Sequence, residues 1–217
     1  MGDFILGAFS HPPKHGKKHV KGGLNTALTF SQTAYREESK RPATLEGFQY
    51  DTQLSNKRNA VYHSPTENRV IVAFRGTDFT DPTDVFDDIR IATGTFAGDP
   101  RIKKGKEITK QASDKYGVPI KQVELTGHSL GGRVAQAVGE HFDSNRVTAV
   151  NPGSSPIDIV HPSAGSGFGR TFTTGTDPVS ITNTVVNPSA VRFRIQSTVE
   201  PHGLGAFGDQ ITKTGHG

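Results

Sequence analysis

The residues best suited to chemistry are Gly127-His128-Ser129-Leu130-Gly131, followed by Gly132. The spacing G-x-S-x-G puts a serine on a sharp turn between a strand and a helix, with glycines where side chains would strike their neighbours. A hydroxyl held there sits at the positive end of a helix dipole, which favours a developing negative charge. Such a serine attacks an acyl carbon once a base takes its proton. The flanks agree with this setting. Val123-Glu124-Leu125-Thr126 reads as an apolar strand, and Val134-Ala135-Gln136-Ala137-Val138 reads as a helix of small residues. A glycine-rich turn with a capping serine would match the same five residues, so the strand–turn–helix context is what separates the two readings.

A second segment complements the first. Val70-Ile71-Val72-Ala73-Phe74 is a continuous apolar strand that ends in Arg75-Gly76-Thr77-Asp78. A serine on such an elbow needs two backbone N–H groups to hold the oxyanion. One comes from the residue after the nucleophile, here Leu130, and one from a loop after an earlier strand, here expected at Thr77. The Thr77 hydroxyl is a third candidate donor. Losing one such donor costs roughly 100- to 1,000-fold in rate. Taken alone, this segment is a plain core strand closed by a turn.

The pairing of Ala73-Phe74-Arg75-Gly76-Thr77 with Thr126-Gly127-His128-Ser129-Leu130-Gly131-Gly132 resembles the class 3 (fungal-type) lipase family. The resemblance runs from about residue 45 to residue 205 and is densest at these two motifs. It implies an α/β-hydrolase fold, action on acylglycerols or phospholipids, a Ser-Asp-His order and no cofactor. By that order the acid follows a later strand. Asp177, in Thr176-Asp177-Pro178-Val179 after Arg170–Thr174, matches the family's acid position, with Asp158 as the competitor. The base then lies beyond Asp177, where only His202 and His216 stand. His202, in Pro201-His202-Gly203-Leu204-Gly205-Ala206-Phe207, is the choice, because His216 is next to the end of the chain. His128 reads as packing within the elbow. The chain departs from the family in its short length, its lack of tryptophan and its lid region. Phe79 to Ile91 holds Asp81, Asp84, Asp87 and Asp88 in place of an apolar amphipathic helix. A lid meant for a lipid interface wants a more apolar face, so simple esters and phospholipids compete with triacylglycerols.

The elements that must position these residues follow from periodicity. Leu24, Ala27, Leu28, Ser31, Ala34 and Tyr35 share one helical stripe. Gly47–Asp51 and Asn59–His63 read as short strands, Ser64–Asn68 as a turn and Arg69–Phe74 as the strongest strand. Asp99-Pro100 opens a helix that runs to Tyr116 and stops at Gly117. A strand is expected over Pro119–Leu125, a helix over Leu130–Phe142, and strands over Val147–Val150, Arg170–Thr174 and Val191–Gln196. Strands alternating with helices imply an α/β fold with a mostly parallel central sheet flanked by helices. The expected division is a basic, irregular segment over residues 1–22 and a single domain over 23–217.

Composition bounds the rest. The chain has 217 residues, no cysteine and a net charge of +4. Without cysteine there is no disulfide framework, no thiolate nucleophile and no zinc–thiolate site. Together with an apolar start too short for a signal peptide, this favours a soluble, intracellular protein. Lys14, Lys17, Lys18 and Lys21 concentrate the positive charge, beside His11, His15 and His19. The cluster fits a solvated tail or a peripheral contact with an anionic lipid surface, ahead of nucleic acid. Pro12, Pro13 and Gly16 argue against a helix that would align the histidines on a metal, and no metal site is expected. Two other classes remain open: thioesterase or acyltransferase chemistry on the same elbow, and a non-catalytic binding or structural protein that keeps the shape.

Overall fold

Arg69–Phe74 alternates its side chains between two faces, and both faces are buried and apolar. A strand like that needs a helical layer on each side. The computed structural model describes residues 17–77, 100–153, 169–174 and 192–195, with side chains over 24–77, 100–153 and 169–173. Both layers are present among them. Helix α1 (Lys17–Tyr35) covers one face, and α2 (Pro100–Tyr116) and α3 (Leu130–Phe142) cover the other.

The sheet between them holds β1 (Thr44–Leu45), β2 (Phe48–Tyr50), β3 (Asn59–Ser64), β4 (Arg69–Phe74), β5 (Glu124–His128), β6 (Val147–Val150), β7 (Arg170–Thr174) and β8 (Arg192–Ile195). They lie side by side in chain order. β1 to β4 pair antiparallel, and β4 to β8 run parallel. This is the α/β layout that the alternating pattern implies. Phe74 pairs with Gly127, and Gly127 with Ala149, so the carboxyl ends of β4, β5 and β6 are level. Sites in such sheets form at that edge.

The period of two sorts the core. Val70, Val72 and Phe74 point to the α2–α3 side with Val61, Leu125, Ile108, Val134 and Val138. Ile71 and Ala73 point to α1 with Ala60, Tyr62, Phe48 and Phe30. The Phe30 ring meets Phe48 and Tyr62 edge-on, with centroids 5.3 and 5.1 Å apart, a favoured aromatic geometry. A polar tie fixes α1 over the middle of the sheet. Ser31 and Thr126 share a hydrogen bond of 3.2 Å, and the Thr126 hydroxyl lies 2.9 Å from the Thr148 carbonyl, which accepts from it.

Two boundaries differ from expectation by more than one residue. The first helix starts at Lys17, ahead of Leu24, so residues 17–22 of the segment expected to be irregular are helical. The prolines that break helices stand at 12 and 13, before this start, and glycine inside a helix costs only about 1 kcal/mol. The strand expected over Pro119–Leu125 is displaced: Ile120–Gln122 forms a 3₁₀ turn, and β5 runs from Glu124 to His128. Lys121 and Gln122 are exposed, whereas Leu125, Thr126, Gly127 and His128 are buried between β4 and β6. The stop at Gly117 is as expected, with φ of 64° in the left-handed region.

Asp51, directly after β2, ties that strand to α2. Its carboxylate accepts from Lys115 Nζ at 2.7 Å, Tyr116 Oη at 2.6 Å, and the N–H groups of Gln53 and Leu54 at 2.9 and 3.0 Å. Burial alone would raise its pKa. The four donors outweigh burial and hold the carboxyl below its ordinary value. A depressed folded pKa stabilises the fold above the unfolded carboxylate's pKa of about 3.9, and the gain is lost as pH falls through the folded value. Asp51→Asn should therefore cost about 1–3 kcal/mol in urea unfolding at pH 7. The gap to wild type should narrow below about pH 4, and a gap that stays constant with pH would contradict the assignment.

Candidate active site

β5 does not run straight into α3. Between them Ser129 turns the chain with φ of 53° and ψ of −128°, a conformation L-residues rarely adopt. Such strain persists only where the surroundings over-determine it. Here the Ser129 N–H donates to the Val150 carbonyl at 3.1 Å. Its own carbonyl accepts from Gly153 at 3.0 Å and Arg133 at 3.2 Å. The serine is fully buried and occupies the N-cap position, yet its hydroxyl makes no capping bond to the helix. The side-chain oxygen is thus not committed to the role that serine usually plays there.

The glycines make this turn sterically possible. A Cβ at Gly127 would strike the Gly131 backbone, and a Cβ at Gly131 would strike the Phe74 carbonyl at the end of β4. A Cβ at Gly132 would stand 2.9 Å from the Gly127 carbonyl. Strand β5, the start of α3 and the end of β4 therefore touch backbone to backbone. The strand–serine–helix turn at the carboxyl edge of a mostly parallel sheet has the geometry of the elbow that α/β-hydrolases use.

The same contact brings the second motif alongside. The Cβ position of Gly76 is 3.4 Å from Ser129 Cβ and 2.7 Å from the His128 carbonyl. The Arg75-Gly76-Thr77 loop therefore lies against the elbow, with half-buried Thr77 next in the chain. Leu130, fully buried, begins α3 directly after Ser129. Of the residues picked from the sequence, Ser129, Leu130 and the loop bearing Thr77 are brought together. Asp177, His202 and the competitor Asp158 lie outside the described residues, as do the side chains of Lys14, Lys17, Lys18 and Lys21. Among the described residues no group of three or more His, Cys, Asp or Glu is placed to hold a metal ion.

One feature of the site escaped the sequence reading. His128 is buried, as packing requires, but its Nδ1 is 3.0 Å from Tyr35 Oη at the end of α1. Burial raises the Tyr35 pKa well above the ordinary phenol value, against the adjacent Gly76 backbone and the nearby Arg75 and Arg101 cations, which lower it. The phenol therefore keeps its proton through neutral pH. The Arg75 guanidinium stands 5.8 Å from the centroid of the Tyr35 ring. In the sequence, Tyr35 shows only as the last member of an apolar stripe. Its one other signal is that it could reach the residue next to the serine, and only the fold reveals that.

Comparison with known proteins adds little. No family model matches the chain, and no curated protein matches it. Among solved structures, a hyperthermophilic esterase from the archaeon Pyrobaculum calidifontis is similar at a TM-score of 0.48 and 15% identity. That likeness covers 94% of this chain and 90% of that one. At that identity and score it says nothing of what this chain acts on. The class of the fold rests on the sheet and the elbow themselves.

The backbone contact at Gly131 has a direct test. Adding a methylene to a well-packed interior costs about 1–3 kcal/mol, and here the obstacle is the backbone of a central strand. Gly131→Ala should lower unfolding stability in urea by about 3 kcal/mol or more. A loss under about 0.5 kcal/mol, the usual size of a neutral surface change, would mean that the elbow and β4 are not in contact.

Proposed function

We propose that the protein is a serine hydrolase that cleaves carboxylic esters, with a lipid or phospholipid as substrate. One observation carries this reading: Ser129 is held at positive φ at the head of α3, its hydroxyl not used for capping, with the Arg75–Thr77 loop against it. In the proposed reaction His202 takes the Ser129 proton as the serine oxygen attacks the ester carbonyl. The N–H groups of Leu130 and Thr77 hold the oxyanion. His202 then protonates the departing alcohol, and water, activated by the same imidazole, releases the acid from the acyl-enzyme. Asp177 is assigned the orientation of His202. The assignment of Asp177 and His202 is supported by the family resemblance and chain order. The choice of lipid rests on that resemblance alone.

A second reading keeps the nucleophile and changes the substrate, since thioesterases and acyltransferases use the same elbow. A panel of p-nitrophenyl esters, phospholipid vesicles and acyl thioesters separates these. Ser129→Ala should fold normally and lose turnover by on the order of a million-fold, by analogy with other triads. A fluorophosphonate should label the wild type at Ser129, and His202→Ala should label far more slowly. Ester hydrolysis that survives in Ser129→Ala would sink the proposal.

A further inference from the structure

We propose that Tyr35 is a positioning residue that holds the Arg75–Thr77 loop in register with Ser129, so that the oxyanion donors and the nucleophile act on one carbonyl. The inference rests on the hydrolase reading above. Its basis is a line of close contacts that crosses the gap between the two motifs. The Gly76 backbone stands directly against Tyr35 Oη, and Tyr35 Oη is hydrogen-bonded to His128 Nδ1 at 3.0 Å.

The placement of the partners gives this bond its importance. Gly76 immediately precedes Thr77, and His128 immediately precedes Ser129. The phenol thus joins the residue before one proposed oxyanion donor to the residue before the nucleophile. No side chain fits between them, because a Cβ on Gly76 would fall on the Tyr35 oxygen. The ring is itself held, tilted against His128 with centroids 5.9 Å apart and flanked by the Arg75 guanidinium. A Tyr35 that served only to fill space would need the ring and not the hydroxyl. Catalytic hydrogen bonds tolerate little displacement, since a donor off target by 1 Å can cost about 100-fold.

Tyr35→Phe removes the hydroxyl and keeps the ring. On a short-chain p-nitrophenyl ester its kcat should fall roughly 10- to 100-fold, less than the outright loss of an oxyanion donor, with KM within about twofold. Labelling at Ser129 by a fluorophosphonate should slow by a similar factor. His128→Phe takes away the same bond from its other end and reads it independently should Tyr35→Phe fail to fold. The two losses should not add, so the double variant should be within about threefold of the slower single variant. Labelling of Tyr35→Phe at the wild-type rate, or additive losses in the double variant, would overturn the positioning role alone. A folded wild type that is not labelled at Ser129 would remove the hydrolase reading, and this proposal with it.

Discussion

Everything at the carboxyl edge of the sheet depends on one steric condition: the backbones of Phe74, Gly127 and Gly131 meet without side chains between them. Parallel pairing of β4 with β5 sets Phe74 opposite Gly127. The first turn of α3 then drops onto the same spot. Any Cβ at Gly127 or Gly131 would push helix from sheet, and with it the strained turn that presents Ser129. The strain itself is held by hydrogen bonds to Val150 and Gly153 from the next strand and the loop after it. The serine is therefore fixed by three consecutive strand ends, β4, β5 and β6.

That condition also explains why the sheet is built as it is. The elbow needs a rigid floor, and β4 provides it by burying both of its faces. One face packs Val70, Val72 and Phe74 against α2 and α3, and the other packs Ile71 and Ala73 toward α1. The antiparallel strands β1 to β3 extend this floor to one side, and the parallel strands β5 to β8 extend it to the other. The outer antiparallel part is anchored to α2 by buried Asp51.

The sequence was most legible where local pattern and tertiary environment agree. β4 could be read because a strand buried on both sides is a continuous apolar run, and α3 because the glycine–serine spacing fixes its first residue. Boundaries were lost where they disagree. Pro119 and Ile120 look like the start of a strand, yet the exposed Lys121 and Gln122 leave the sheet pairing to Glu124–His128. Residues 17–22 read as irregular, yet they belong to helix α1, in a protein context where packing rather than propensity supplies most helical stability. The bond between Tyr35 and His128 joins residues 93 positions apart and leaves no periodic trace. Asp177 and His202 are read from chain order and resemblance, and they stand outside the described residues.

Helix α1 is the first of the described elements, yet part of its footing is made much later. Ser31 waits 95 residues for Thr126, and Tyr35 waits for His128. On a ribosome, where domains form as their residues emerge, α1 leaves the exit tunnel long before β5 exists to receive it. Phe30 can find Phe48 and Tyr62 once β2 and β3 have emerged, but the polar ties of α1 to Thr126 and His128 must wait for β5. The contacts of α1 with β5 can form only after β5 is made, and they are the ones that join the two motif-bearing loops. A newly made chain would possess both motifs before it possessed a working arrangement of them.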